Sequence, residues 1–560
     1  MLIVTERWER ILEGEARSML EARLPDVLKA RRWFAGKARA IQSVRIAESV
    51  PIPAGSSSVV LLFIRVEYVD GAPELYTLPL TAAFGEKAAQ IKQDHPGTIV
   101  ATLKVRTDEC EQTGVLYDAL WNSDFSRELL SAIGRGGRFT GESGALIASP
   151  TKAYGDLICG EADPNPAVLK VEQSNTSIAY GDLVLLKVYR RLETGINPDL
   201  EIGRMLTTMN FPYSPPLAGS LEYVRANSET VTVAILQGFV HNQGDAWSYT
   251  LDVFNQYVVR CRAQPTGRER GLAFAGPLLE TAQGNIPTFA RELIGPYLES
   301  ASKLGQRTAE LHVALANARG NPEFMPEPFS LEYRRSRYES MGRLVSQTCS
   351  LLRSRINDLP PFTEQEARRV LNDELRIQNR FRAFFELEIP AFRIRCHGDY
   401  HLGQVLWTGR DFLITDFEGE PARPLSERRT KHSPIMDVAG MLRSFYYASY
   451  ASLLHQQLDL HAEDVGTSLE PWIRFWYGWV SVAFLKSYLR TAESASFWPG
   501  TQSELRVLLD AHLLEKAVYE IGYELNNRPN WVRIPIRGVL DILEMHTGKV
   551  MERHRTNHEK

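Results

Sequence analysis

Two short stretches between residues 395 and 418 constrain this chain more than any other part of it. Arg395-Cys396-His397-Gly398-Asp399-Tyr400-His401-Leu402-Gly403-Gln404 is followed by Phe412-Leu413-Ile414-Thr415-Asp416-Phe417-Glu418. An acid, a carboxamide and a second acid therefore stand at fixed offsets, with Asp416 seventeen residues after Asp399 and at the end of the apolar run Phe412 to Ile414. That run predicts a short strand delivering Asp416 to an open edge. Gly398 lets the backbone turn tightly beside Asp399, and His397 reads as a structural residue that hydrogen-bonds the loop in place.

Phosphoryl transfer uses such a set. One carboxylate receives or orients the proton of an attacking hydroxyl, while a second carboxylate and an amide oxygen hold Mg2+ against nucleotide phosphates. Asp399 fits the first role, and Asp416 with Gln404 the second. Taken singly, His-Gly-Asp is an ordinary turn and Asp416 an ordinary strand end; three matches in order point to chemistry. The pattern resembles the aminoglycoside-phosphotransferase-like branch of the protein-kinase-like fold, with Gln404 where that branch carries Asn. Gln offers the same amide oxygen on a stem one methylene longer.

Three further stretches narrow the resemblance. Glu418-Gly419-Glu420-Pro421-Ala422-Arg423-Pro424-Leu425-Ser426-Glu427-Arg428-Arg429, with Lys431 to Pro434 and Asp437 to Phe445, is similar to the signature that follows the catalytic loop in bacterial maltokinases, stand-alone or fused to trehalose synthase. Arg32-Trp33-Phe34-Ala35-Gly36-Lys37 is similar to the opening of that family's cap domain, and Lys516 to Glu524 with Asn527 to Trp531 to its terminal helix. Met436 departs from the pattern, standing where a basic residue is expected, and the chain is long for a stand-alone member. The resemblance implies ATP and Mg2+, transfer of the γ-phosphoryl group to the anomeric hydroxyl of maltose, and trehalose synthase as a possible partner.

Composition agrees with a water-soluble enzyme. At 560 residues, 44% hydrophobic and 24% charged, the chain is long enough for roughly two to four domains. Its net charge of −4 argues against general nucleic-acid affinity. No apolar run reaches membrane-spanning length, and Met1 to Arg7 lacks the order of a secretory signal, so a cytoplasmic protein is expected. The five cysteines are scattered without a Cys-x-x-Cys pair, which indicates neither zinc nor a disulfide framework. Cys396 reads as a buried thiol.

The expected fold class is α+β: a protein-kinase-like bilobal fold with a strand-rich small lobe and a helical large lobe, preceded by a strand-rich cap. Runs such as Val59 to Ile64 and Tyr76 to Leu80 place the cap at 1–105. A helical segment from Tyr117 to Ile133 leads into a strand-rich stretch, so 106–240 is read as an intermediate segment and small lobe. Helical periodicity then dominates 241–560, the large lobe with the catalytic loop.

In the small lobe, Leu183, Leu185, Lys187 and Tyr189 share one strand face. A lysine among apolar neighbours calls for an anion, though an edge-strand lysine is also common. Asn197 can cap a helix with Pro198 at its first position. Glu201, one turn in, is then the expected partner holding Lys187 on the nucleotide phosphates, with Glu193 a rival. Gln173, Ser174, Asn175, Thr176 and Ser177 read as a phosphate-binding turn between two strands. Gln237, Phe239 and Val240 read as the hinge where adenine meets backbone.

The acceptor site is harder to read. Glu418, Arg423 and Glu427 follow the metal strand and could reach a sugar, although Arg423 and Glu427 could simply pair with each other. Tyr519 and Tyr523, at i and i+4, offer one aromatic face; such spacing also builds cores, and the family resemblance is what favours a sugar. Asp437, opening an apolar helix, is expected to brace the catalytic loop from behind. His312 is expected to be a satisfied core histidine. Two alternatives stay open: a kinase of the same fold acting on another sugar or an amino sugar such as glucosamine, which an acidic pocket would favour, and a non-catalytic regulatory partner of trehalose synthase.

Overall fold

The computed structural model describes all residues except 56, 109, 159–164, 170–173, 227, 265–273, 275, 319, 456–462, 545–560 and the side chains of 452–468. The chain divides into two compact units, 1–241 with 423–427, and 242–422 with 428–560.

The first unit holds two seven-stranded sheets. Strands β1 (Leu2–Thr5), β2 (Ile41–Ala54), β3 (Ser57–Tyr68), β4 (Glu74–Phe84), β5 (Ile99–Arg106) and β6 (Glu111–Asp118) form one, in the order β1-β5-β6-β4-β3-β2. Its strands run to Asp118, beyond the expected boundary at 105, because β5 and β6 are a hairpin. The second sheet comprises β7 (Arg138–Thr140), β8 (Gly144–Pro150), β9 (Pro166–Val168), β10 (Asn175–Tyr180), β11 (Val184–Tyr189), β13 (Leu217–Arg225) and β14 (Val231–Gly238), in the order β7-β8-β13-β14-β11-β10-β9. The short β12 (Arg191–Leu192) leaves β11 and pairs with β4 of the first sheet.

The apolar run in β3 is continuous because both of its faces are buried. Val60, Leu62, Ile64 and Val66 pack in a core with Leu20, Leu24 and Leu28 of helix α1 (Gly14–Lys29). Val59, Leu61 and Phe63 face a second core with Phe125, Leu129 and Leu130 of α2 (Ser123–Arg135) and the second sheet. The helix expected from Tyr117 starts only at Ser123. Tyr117 lies in β6, and Asn122 caps α2 by accepting from the amides of Asp124 (3.0 Å) and Phe125 (3.4 Å). Gly136, at φ +67°, ends it.

The second unit is helical around two small two-stranded sheets, β15 (Glu327–Pro328) with β16 (Phe392–Arg393) and the hairpin β17 (Val405–Trp407) with β18 (Phe412–Ile414). With α3 (Pro198–Thr208) in the first unit, the helices that matter for the site are α4 (Ala246–Arg262), α5 (Tyr297–Ala316), α6 (Ile435–His455), α7 (Glu463–Ala492), α8 (Gln502–Asn527) and α9 (Arg533–Glu544). The aromatic residues Trp472, Phe475, Trp476 and Phe484 of α7 are buried as packing. Among the described residues no helix is long and apolar enough to cross a membrane, and the four described cysteines are free thiols.

Candidate active site

The loop that carries Asp399 joins β16 to β17 and is held from behind by one carboxylate. Asp437, in the first turn of α6, accepts from the amides of His397 (2.8 Å) and Gly398 (3.0 Å). His312 of α5 approaches the same carboxylate at 3.1 Å through Nε2, and its Nδ1 pairs with the Tyr488 hydroxyl at 2.9 Å. Burial alone would raise the Asp437 pKa, but the bonds and charges around it bring it below the ordinary value. His397 Nε2 lies 2.9 Å from the Thr415 carbonyl and so ties the loop to the end of β18. Gly398 has φ +85°, and a Cβ there would lie 3.3 Å from the Gly419 Cα. Cys396 is buried, with its thiol pushed well up by burial.

This frame presents Asp399 to a residue that sequence reasoning passed over. Lys516 of α8 sets its ammonium 3.2 Å from Asp399 Oδ1 and 3.5 Å from Glu420 Oε2. His401 Nε2 is 3.8 Å from Asp399 Oδ2. Burial would raise the Asp399 pKa, yet the positive charge of Lys516 and the nearby His401 hold it below the ordinary value. Lys516 is held protonated by the charges of Asp399 and Glu420 against the opposing effect of burial. Burial lowers the His401 pKa, so its imidazole is neutral at pH 7. The available signal for Lys516 was its place one turn before Tyr519 and Glu520 and two turns before Tyr523, on one helix face.

The β17–β18 ladder sets the backbone of Gln404 beside that of Thr415, next to Asp416. The Gln404 carbonyl accepts from the Thr415 amide (2.9 Å) and hydroxyl (3.2 Å), so Gln404 and Asp416 flank the open end of the hairpin. Asp416 has φ +64°, a conformation that costs a non-glycine residue free energy and is kept where the surroundings demand it. Oxygens of Asp416 and Glu418 lie within 4.8 Å of each other. Two carboxylates and an amide oxygen are the hard donors that Mg2+ takes. Glu418, read as a sugar contact, thus stands beside the metal acid.

In the first unit Lys187 of β11 is buried and its ammonium lies 3.0 Å from Asp199 Oδ2. The Tyr189 hydroxyl donates to the same oxygen at 3.0 Å. Asn197 caps α3 as expected, accepting from the Asp199 amide at 2.9 Å with Pro198 first in the helix. The structure thus sets the Asp199 carboxylate on Lys187, two residues before the expected partner Glu201 in the same helix.

The phosphate-turn expectation also shifts. Asn175, Thr176 and Ser177 belong to β10, paired with Tyr189, Val188 and Lys187 of β11. The Thr176 hydroxyl accepts from Arg190 Nε at 2.8 Å, and Ser177 is fully buried. Ser174 sits at the bend before β10, and Gln173 lies outside the described residues. Gln237 is in β14 between Leu185 and Leu217. The Phe239 amide is taken by the Leu183 carbonyl at 2.9 Å, and Val240 follows it out of the strand. Arg423 and Glu427 belong to the 423–427 segment of the first unit.

Asp399 opens into a cavity of about 810 Å³ in the second unit. Lys516, Tyr519, Glu520, Tyr523, Glu524 and Asn527 form one wall along α8, with Glu420, Tyr447, Arg528 and Trp531 around it. The Tyr519 hydroxyl donates to Glu420 at 2.9 Å, and Tyr523 is 45% exposed, which excludes a core role for it. The acids are paired: Glu520 takes Arg443 at 2.9 and 2.6 Å, and Glu524 takes Arg528 at 3.0 and 2.7 Å.

Comparison with known proteins agrees with this architecture. Residues 28–121 match the maltokinase N-terminal cap domain. The chain is 22% identical over 386 residues to a glucosamine kinase of Mycolicibacterium smegmatis, covering 68% of this chain and 80% of that one. It is also 22% identical over 383 residues to a glucosamine kinase of Streptacidiphilus jiangxiensis, covering 67% and 72%. A solved glucosamine kinase in complex with glucosamine, ADP and inorganic phosphate superposes with a TM-score of 0.58 at 18% identity, over 95% of this chain and 99% of that one. The fold is therefore α+β and kinase-like. At its head stands a cap of the maltokinase type, as the opening motif Arg32 to Lys37 leads one to expect.

Proposed function

We propose that the chain is an ATP-dependent sugar kinase and that its acceptor is maltose, phosphorylated at the anomeric hydroxyl to maltose 1-phosphate. The observation that carries this reading is Asp399, kept as a carboxylate by Lys516 at the wall of a cavity of about 810 Å³, in the same unit as the neighbouring acids Asp416 and Glu418. Asp399 orients the acceptor hydroxyl and takes its proton as the hydroxyl oxygen bonds to the γ-phosphorus. The bond from that phosphorus to the β,γ-bridging oxygen breaks, and ADP leaves. Mg2+ held by Gln404, Asp416 and Glu418 would neutralise phosphate charge. Lys187, anchored by Asp199, is assigned to the nucleotide phosphates.

The cavity favours a sugar longer than one ring. Its wall runs from Lys516 to Asn527, about 16 Å along the helix axis. Glu520 and Glu524 pair with Arg443 and Arg528, while the single Lys516 is shared between Glu420 and Asp399, so it is the length of the wall that favours maltose. The second reading, an amino-sugar kinase, draws on the glucosamine kinases among the relatives. An ADP-release screen over maltose, glucose, trehalose and glucosamine separates the two. Maltose-dependent release is expected, and release with glucosamine alone would transfer the assignment. Release with none of them would favour a non-catalytic partner of trehalose synthase.

A further inference from the structure

Helix α6 separates two cavities. Gly440, Ser444 and Tyr447 face the acceptor cavity, while Tyr446 and Tyr450, on another face of the same helix, line a second cavity of about 240 Å³. Phe274, with Ile473, Arg474 and Tyr477 of α7 and Asp541 and Glu544 of α9, lines the rest of its wall. Nothing in the phosphoryl-transfer chemistry uses this space.

Its lining is that of a ligand site. The Tyr446 ring stands 4.8 Å from that of Tyr450 and 5.2 Å, edge-on, from that of Tyr477, so the wall is aromatic. Asp541 gives one oxygen to the Tyr446 hydroxyl (2.9 Å) and the other to Arg474 (2.9 Å). Its charge is thereby balanced within the wall, and Glu544, the other acid there, pairs with Arg369, which together select against an ionic guest. The buried Tyr450 hydroxyl has no hydrogen-bond partner among the described residues, and such a group costs free energy unless something meets it. Aromatic faces, a balanced ion pair and an unmet hydroxyl suit a small neutral polyhydroxylated molecule about the size of one pyranose.

The two cavities are connected through one side chain. Arg443 binds Glu520, a wall residue of the acceptor cavity, and stacks its guanidinium 4.5 Å over the Tyr446 ring. Gly538 of α9 makes room for it, since a Cβ there would lie 2.3 Å from Arg443 Nη1. A guest that shifts Tyr446 therefore acts on Arg443 and, through Glu520, on the acceptor wall.

We propose that the second cavity is a binding site for a monosaccharide-sized neutral polyol and that its occupancy changes acceptor affinity through Arg443; the effect on affinity rests on the kinase reading, whereas the site itself does not. The test is hydrogen exchange on the full chain with D-glucose as probe and maltose saturating the acceptor cavity. Protection is expected over 446–450 and 473–477. Ile473→Trp, which fills the cavity, should abolish that protection, and Tyr450→Phe, which removes only the hydroxyl, should weaken glucose binding about three- to tenfold. In turnover assays glucose should shift the maltose KM of the unaltered chain about fivefold or more, and not that of Ile473→Trp. Protection confined to 516–528, or unchanged in Ile473→Trp, overturns the site. Protection of the second cavity with an unmoved KM overturns the link through Arg443. Exchange needs no turnover, so a chain that phosphorylates none of the sugars would refute the kinase reading without touching the site.

Discussion

Replacing Lys516 with methionine tests the electrostatics of the catalytic carboxylate. The ammonium lies 3.2 Å from Asp399, and the two side chains are 28% and 15% exposed. A unit-charge pair at that distance is worth roughly 5 kcal/mol at an effective dielectric near 20 and roughly 1.3 kcal/mol in bulk water. With one partner partly wetted, an intermediate value of about 2 kcal/mol is appropriate, or about 1.5 pH units at about 1.4 kcal/mol per unit. The sign follows from the role. Asp399 works as a carboxylate, activity falls as pH drops through its pKa, and loss of the cation raises that pKa. The acid limb of the kcat/KM profile for Lys516→Met, followed by coupled ADP release, should therefore move up by roughly one to two pH units. An acid limb displaced by less than about 0.3 unit would refute the argument that Lys516 sets the Asp399 charge state.

Two other substitutions separate the sugar wall from the scaffold. Tyr523→Ala should raise the maltose KM while leaving the nucleotide KM and the melting temperature near wild type, because an exposed side chain costs within about 0.5 kcal/mol on removal; an unchanged maltose KM would remove Tyr523 from the site. Asp437→Ala strips two loop amides and His312 of their acceptor and should cost about 2–5 kcal/mol, read as a fall in melting temperature, and an unaffected melting temperature would show that the loop is braced elsewhere.

What was readable from sequence depended on how far apart the interacting residues lie. His397, Asp399, Gln404 and Asp416 are positioned by one loop and one hairpin, so their offsets carried the geometry. Asp437 was readable because it opens an apolar helix, and it does reach the loop amides. Lys516 meets Asp399 from 117 residues away, a distance over which no local pattern reports. Asp199 on Lys187 went unread because the cap at Asn197 locates the helix start, whereas the orientation of α3 against β11 decides which acids face the strand. Ser and Asn between apolar runs suggested a turn at 173–177, but pairing of β10 with β11 carries Asn175 to Ser177 into the sheet. The apolar run Val59 to Ile64 placed a strand in the cap without revealing that its two faces serve two different cores.

The central claim, that Asp399 is the base of a sugar kinase, is tested most directly by Asp399→Asn measured in two ways. Calorimetry should find Mg-ATP binding close to wild type, since the amide keeps the shape of the carboxylate. Maltose-dependent ADP release should fall by about 100-fold or more, because the amide can neither take the proton nor carry the charge. Turnover within about tenfold of wild type, with nucleotide binding intact, would contradict the account.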